Sequence, residues 1–448
     1  LTTTLYMLSY YPMREAIAPL REENNLAKPD LFPLAKHPSQ PLKRVSPLCD
    51  LCDLCVRHFS IPRASLGRPF SRSLIAAFTI LAILTISNLI STACASDLAP
   101  KQDHGFRYTN DVQPELPMSI HIIQVERNRP DFEFCTTLGK GNAIGMGVVS
   151  EQIKALPHDR GQPLGGINGD FYDKKEKEGG RPRDIQIRFG ELITNPAGHT
   201  AFWIAPDGSP QMTNIASRCR VAWPNGAETP IILNAQRDDD AAVLYTAVSG
   251  PSTKTAGGTE LILEPGPNSS WLPLKPGERY AARVREIRTT GNSPLTADTM
   301  VLSLGANIAP APPALRPGDI VQVITETSPD LRGVNVALGG GPALVRDGKP
   351  MQFGGLLKLR HPRAALGWNK DHFFLVEVDG RQRDTSIGMT FPEFADYLVK
   401  IGCTEAMNLD GGGSSTLWAF GRVQNSPSEG EERPAPNALV ILKKSAAK

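Results

Sequence analysis

Cysteine is scarce in this chain, with 7 among 448 residues, and only Cys135, Cys219 and Cys403 lie beyond residue 95. An odd set of three argues against a disulfide-framed fold, although it leaves room for one bridge outside the cytosol. A charge excess is missing as well. With 48 Lys+Arg against 46 Asp+Glu the formal net charge is +2, which gives no electrostatic footing for nucleic acid. Helical periods are few and no internal repeat of fixed period is present, so a repeat architecture is excluded and β structure is left as the main content.

Long apolar runs reduce to one, Leu74 to Ile90. Arg68 and Arg72 precede it and Ala93-Cys94-Ala95-Ser96 come after it, the pattern of a secretory signal over residues 73–95 cleaved after Ala95. Export to the periplasm or beyond is implied, with no permanent membrane span once the signal is removed. A retained anchor is the alternative, weakened by Thr79, Thr85, Ser87 and Asn88 inside the run. Acylation of Cys94 is weaker still, because Ser91 stands where an aliphatic residue belongs. Residues 1–72 read as a Pro-rich extension, disordered or upstream of the true start. Cys49, Cys52 and Cys55 within it have ligand spacing but no fourth partner, so no metal is assigned there.

Past the signal, residues 97–117 are polar and irregular and read as a linker. Met118 to Val125 reads as a strand paired across a turn with Asp131 to Thr137, and Ser150 as the cap of a short helix running to Leu156. Residues 96–160 thus form a β-rich N-terminal segment ahead of a main domain over 161–445. Within that domain, about 200–330 is a β-rich insertion. Candidate strands there are Leu244 to Thr246, Glu260 to Leu263, Tyr280 to Ile287, Met300 to Leu304 and Ile320 to Ile324. Val336 to Asp347 looks like a hairpin around the glycine triplet Gly339 to Gly341. The clearest helix begins at Thr390, whose capping box with Glu393 precedes the apolar face Phe391, Phe394, Ala395, Leu398 and Ile401, and Gly402 stops it. The fold class read from this is α+β, a mixed and largely antiparallel sheet system with a few helices.

The chemical centre is Asn408 to Leu417, Asn-Leu-Asp-Gly-Gly-Gly-Ser-Ser-Thr-Leu. Three glycines directly after Asp410 give up order and packing together, which suits a tight turn or close approach to an anionic ligand. Alternate residues of a strand share a face, so Asn408 and Asp410 point the same way. Asn168-Gly169-Asp170 repeats the Asn-x-Asp pattern, and Asp379 with Asp410 is placed at strand ends of one sheet.

Together with Gly339 to Pro342, Asp347-Gly348, Arg363 to Gly367, Asp379-Gly380-Arg381, Gly388 to Thr390 and Glu432-Arg433 with Asn437, these segments resemble, in order, the phosphodiester glycosidases. The resemblance spans roughly 164–442. It departs at Asp170 and Tyr172, where the family often has Gly and Phe. It implies an exported hydrolase that breaks the glycosyl C–O bond of a sugar-1-phosphodiester or phosphoglycan. A phosphomonoester is already a good leaving group, so phosphate recognition becomes the main demand. Arg363 and Arg381 offer planar charged forks for it, and N–H groups of Gly411, Gly412 and Gly413 or of the Gly340 triplet add donors. For the carboxylate that activates water or attacks the anomeric carbon, the ranking is Asp410, then Asp170, then Asp379. Asn168 and Asn408 bind substrate or cap turns; Ser414 and Ser415 contact phosphate or cap the next element of the chain. His361 is a general acid or a structural histidine, and Glu432 and Arg433 lie in a loop placed to close over the site. No cofactor is required. A non-catalytic carbohydrate-binding or polysaccharide-assembly module is one alternative. A metal-dependent phosphodiesterase is another, with Asp170, Asp379, Asp410 and His361 around a hard cation such as Ca²⁺ or Mg²⁺.

Overall fold

A computed structural model of the protein describes residues 104–172, 179–354 and 359–444. The expected extension, signal segment and Cys49–Cys55 triplet lie outside these residues. Four sheets make up most of what is described, and every strand pairing among them is antiparallel except Ile232–Leu233 against Ala242–Tyr245. The fold is therefore mostly β. Two α-helices occur among the described residues, Val149–Lys154 and Phe391–Lys400, so α+β describes it only loosely.

The sheet that carries Asp410 has seven strands. Their order is Phe106–Gln113, Met118–Glu126, His372–Val378, Arg363–Trp368, Glu405–Asn408, Ala343–Arg346 and Lys349–Pro350. On one face it packs the helix Phe391–Lys400 through Phe394, Ala395 and Leu398. That helix has the expected capping box: Glu393 N–H donates to Thr390 Oγ1 at 3.3 Å, and Thr390 N–H donates back to Glu393 at 2.9 Å. At the other end Gly402 takes φ +97°, a conformation costly for any residue with a Cβ.

The other face meets two five-stranded sheets. One contains Gln162–Asn168 between Leu417–Ala419 and Ala438–Lys443, and the other has Val336–Gly339 at its centre. Ile123, Leu366, Ile167, Phe202 and Leu338 pack together in the core they share. The Val336–Gly339 sheet is buried on both faces, and the two-residue period of a strand divides its side chains. Val336, Leu338 and Phe202 point to this shared core, whereas Ala337, Ala201 and Trp203 point to a second core. That second core is filled by the eight-stranded sheet of residues 216–328. All five candidate strands between residues 244 and 324 occur, Met300–Leu304 with the same bounds and Ile320–Ser328 longer than read.

Four local expectations are corrected. Phe106–Gln113 is an edge strand, not a linker, paired along its length with Met118–Glu126. Met118–Glu126 and Phe132–Thr136 form no hairpin, because the second pairs with Ala438–Lys443 in a different sheet. Val336–Gly339 and Ala343–Arg346 also belong to different sheets, so the Gly339–Gly341 triplet is a crossing between layers. Close approach is why glycine sits there: a Cβ on Gly339 would lie 2.6 Å from Asp170 Oδ2, and one on Gly340 2.8 Å from Asn408 O. Ser150 is not a side-chain cap either. Its N–H donates 2.9 Å to Glu432, whose carboxylate closes the helix N-terminus instead.

Candidate active site

Strand register gathers the central residues at one end of the seven-stranded sheet. Arg363 lies opposite Val378, and on its other side Leu409 N–H donates to Ala364 O at 2.8 Å. Arg363, Asp379 and Asp410 consequently stand at neighbouring strand ends. The second sheet clamps Asp410 from across the layer. Its N–H donates to Gly169 O at 3.0 Å, and its own carbonyl accepts from Asn168 Nδ2 at 2.6 Å. Asn168 Oδ1 in turn accepts the Thr416 N–H at 3.0 Å, so this fully buried amide holds both ends of the glycine loop. Substrate does not reach it. Asn408 is likewise buried; its Nδ2 donates to Gly341 O at 3.1 Å and its Oδ1 has no partner.

The two glycine loops differ in what they offer. Gly339, Gly340 and Gly341 donate to Ile185, Thr200 and Asn408 carbonyls, so their N–H groups are already engaged and the Gly340 loop supplies no donor. In the other loop Gly412, at φ +66°, donates to Pro362 O, which leaves at most Gly411 and Gly413 for a ligand. Both loop serines are buried. Ser414 Oγ accepts from Arg433 Nη2 at 2.8 Å and Nε at 3.2 Å, whereas Ser415 Oγ has no partner.

Two guanidiniums, Arg381 and Arg433, lie against this loop, and the backbone of a third arginine, Arg363, stands beside Gly411. Arg433 bonds Ser414 and pairs with Glu429 at 3.2 Å. Arg381, exposed and at φ +64°, lies 3.0 Å from where a Cβ on Gly412 would be and 3.4 Å from His361 Nδ1. Arg363 is 7% exposed, stacked 4.1 Å over Phe391, with Nε and Nη2 donating to Met389 O and Leu359 O. Among the described residues no carboxylate forms an ion pair with Arg363 or Arg381. Burial and the neighbouring Arg381 charge push Arg363 down to about 10. Burial together with both arginines lowers His361, so at neutral pH its imidazole is uncharged and suited to accept from Arg381 rather than to serve as a cationic acid.

The three ranked carboxylates part company. Asp410, partly exposed, stays at the loop. Asp170 is fully buried and accepts N–H bonds at 2.7 Å from Phe171 and from Asp184, yet burial pushes it up to about 7. Asp379 turns away from the loop: Oδ2 lies 3.1 Å from His121 Nε2 and Oδ1 accepts the Ser426 N–H at 2.8 Å. The grouping of Asp170, Asp379, Asp410 and His361 around a cation is thereby corrected. Among the described residues the one set with converging ligand atoms is His121, Glu377 and Asp379. Glu432 leaves the site too, since it is bound to Ser150.

The sequence reading missed Glu429, whose Oε1 lies 2.1 Å from where a Cβ on Gly413 would stand. It also missed the pair Asp184 and His199. Asp184, fully buried beside Asp170, holds His199 Nδ1 at 3.0 Å while the imidazole remains about half exposed. No motif spacing announces either, because each contact joins residues more than a dozen positions apart through loops.

Residues 284–442 match the phosphodiester glycosidase family, a stretch that holds Arg363, Arg381, Asp410 and Arg433 but not Asp170. An uncharacterized SPbeta prophage-derived protein of Bacillus subtilis is 35% identical over 115 residues, which cover 25% of this chain and 18% of that protein. A hypothetical protein from Synechocystis shares the fold at a TM-score of 0.59 and 16% identity, over 75% of this chain and 62% of that one. A protein of Burkholderia pseudomallei named as exported does so at a TM-score of 0.56 and 20% identity, over 73% and 74%. The catalytic domain of zebrafish N-acetylglucosamine-1-phosphodiester α-N-acetylglucosaminidase aligns at a TM-score of 0.37 and 16% identity, over 75% and 82%, too weakly to bear on the fold. The chain thus carries, over residues 284–442, a domain of the phosphodiester glycosidase family.

Proposed function

We propose that the protein is an exported hydrolase that cleaves the glycosyl C–O bond of a sugar-1-phosphodiester, with Asp410 as the carboxylate acting at the anomeric carbon or on the attacking water. The observation that carries this reading is the pair Arg381 and Arg433 against the Asp410–Ser414 loop, with Arg363 at the adjoining strand end, Arg381 and Arg363 having no acidic partner among the described residues. Uncompensated guanidiniums at a carboxylate-bearing loop suit an anionic leaving group, whose phosphate oxygens they bind in planar, charge-assisted contacts. Asn168 and Gly169 fix the backbone of Asp410, so the carboxylate starts from a preorganised position. Asp170 acts beneath it as a positioning residue, bound to the backbone of Asp184 and through it to the His199 loop. The phosphomonoester departs without needing a strong acid, in keeping with an uncharged His361.

Hydrolysis of a panel of sugar-1-phosphodiesters in ¹⁸O-labelled water tests the reading. Label in the free sugar, with an unlabelled phosphomonoester, is the expected outcome. Label in the phosphate would instead mean P–O cleavage, and glycan binding without turnover across the panel would mean a binding module.

A further inference from the structure

Behind the proposed catalytic loop, the sheet buries two carboxylates and an imidazole that the proposed reaction does not use. His121 and Glu377 are cross-strand neighbours in register, and Asp379, two residues beyond Glu377, shares its face. All three are within 3% of complete burial, and their ligand atoms lie within 4.8 Å of one another. Neither oxygen of Glu377 has a hydrogen-bond partner. Asn425 Nδ2 donates to Ser415 O at 3.1 Å, and although its amide approaches Glu377 closely enough to lower it, it makes no bond of normal geometry to that carboxylate. Among the described residues no Lys or Arg pairs with either carboxylate, so a lone imidazole faces two buried acids. A buried carboxyl whose oxygens both lack a partner is costly in either protonation state.

Outer contacts already orient this group as ligands are oriented around a metal. Tyr108 OH lies 2.8 Å from His121 Nδ1, so Nε2 faces inward, 3.1 Å from Asp379 Oδ2 and 3.1 Å from Ser119 Oγ, a hydroxyl that a bound cation would displace or that would join its shell. The Ser426 N–H holds Asp379 Oδ1, which leaves Oδ2 beside that nitrogen. We propose that His121 Nε2, Asp379 Oδ2 and the Glu377 carboxylate bind one divalent cation that ties the strand Met118–Glu126 to the end of His372–Val378. A dication cancels the two carboxylate charges and supplies the partner that Glu377 lacks. One nitrogen with carboxylate oxygens favours Zn²⁺ or Mn²⁺ over Ca²⁺ and Mg²⁺, which prefer all-oxygen sites. Its role is structural, since its ligands join two paired strands and the Asp379 carboxylate is turned to His121.

The test uses the purified full chain, stripped with EDTA and then dialysed with Zn²⁺ or Mn²⁺. Bound metal is measured by mass spectrometry and stability by thermal unfolding. About one equivalent per chain is expected, with a rise in Tm of roughly 5 °C at a cation concentration of about 100 Kd. Glu377→Gln, nearly isosteric, should lose both the equivalent and the rise. Tyr108→Phe, which keeps the ligands and loosens only their support, should weaken affinity about tenfold. Less than a tenth of an equivalent bound at millimolar cation would overturn the proposal. So would an equal Tm response in wild type and Glu377→Gln, the result expected if a buried water rather than a cation satisfies Glu377.

Discussion

Replacing Asp170 by Asn should change how stability depends on pH, with a sign set by its burial and a size of a few kcal/mol. Burial moves this carboxyl from 3.8 to about 7. The native state therefore keeps a proton that the unfolded chain loses at about pH 4. Its contribution is fully present below that pH and is lost as pH rises through about 7. At about 1.4 kcal/mol per tenfold change in proton affinity, the loss amounts to about 4 kcal/mol between pH 4 and 8. Asn cannot ionise, so its stability lacks this slope. It also accepts only one of the two N–H bonds that Phe171 and Asp184 now donate, which costs about 1–3 kcal/mol. Urea unfolding of both proteins from pH 4 to 8 should find the variant weaker by about 1–3 kcal/mol at pH 4 and, as wild type loses about 4 kcal/mol, the order reversed by pH 8. Other titrating groups are common to both and cancel in the difference. Parallel stability curves would refute the reasoning, because they would mean that Asp170 is ionised throughout.

Gly413→Ala puts a methyl where Glu429 Oε1 and Arg433 Nη1 now lie, at 2.1 and 2.7 Å. Both are flexible side-chain ends, so stability should fall by less than about 1 kcal/mol, whereas kcat/KM should drop about 100-fold as Arg433 leaves Ser414. Equal activity in the two proteins would remove Arg433 from the account. Arg381→Gln should raise KM for a sugar-1-phosphodiester about 10- to 100-fold with Tm nearly unchanged, the worth of one charge-assisted contact at an exposed position. In the same variant the His361 titration followed by NMR should move up, since Arg381 helps to lower it.

What the sequence disclosed depended on how local each signal is. The helix Phe391–Lys400 was legible because its cap, apolar face and glycine stop lie within a dozen residues, and Met300–Leu304 because all five of its residues are apolar or small and buried. Phe106–Gln113 was not. As an edge strand it buries only Phe106, so its Asn, Asp and Gln hide the alternation. The same limit applies at the site. Strand, helix and strand placed Asp379 and Asp410 at the ends of one sheet, but not the direction in which each carboxylate points. Asp379 faces His121, 258 residues away in sequence, and no spacing encodes that contact. Arg363 and Arg381 were singled out because the motifs containing them are short and contiguous. Asp184 and His199 were not, since their pairing arises from a loop that links two strands of another sheet.

The most direct test of the central claim compares wild type with Asp410→Asn on a GlcNAc-1-phosphodiester or another turned-over sugar-1-phosphodiester, with free sugar, phosphomonoester and substrate affinity each measured. The account predicts that turnover falls by at least about 1,000-fold while binding, held by Arg363, Arg381 and Arg433, changes less than about tenfold. Sugar release at the wild-type rate from Asp410→Asn would contradict it, and would move the chemistry to another group at the loop.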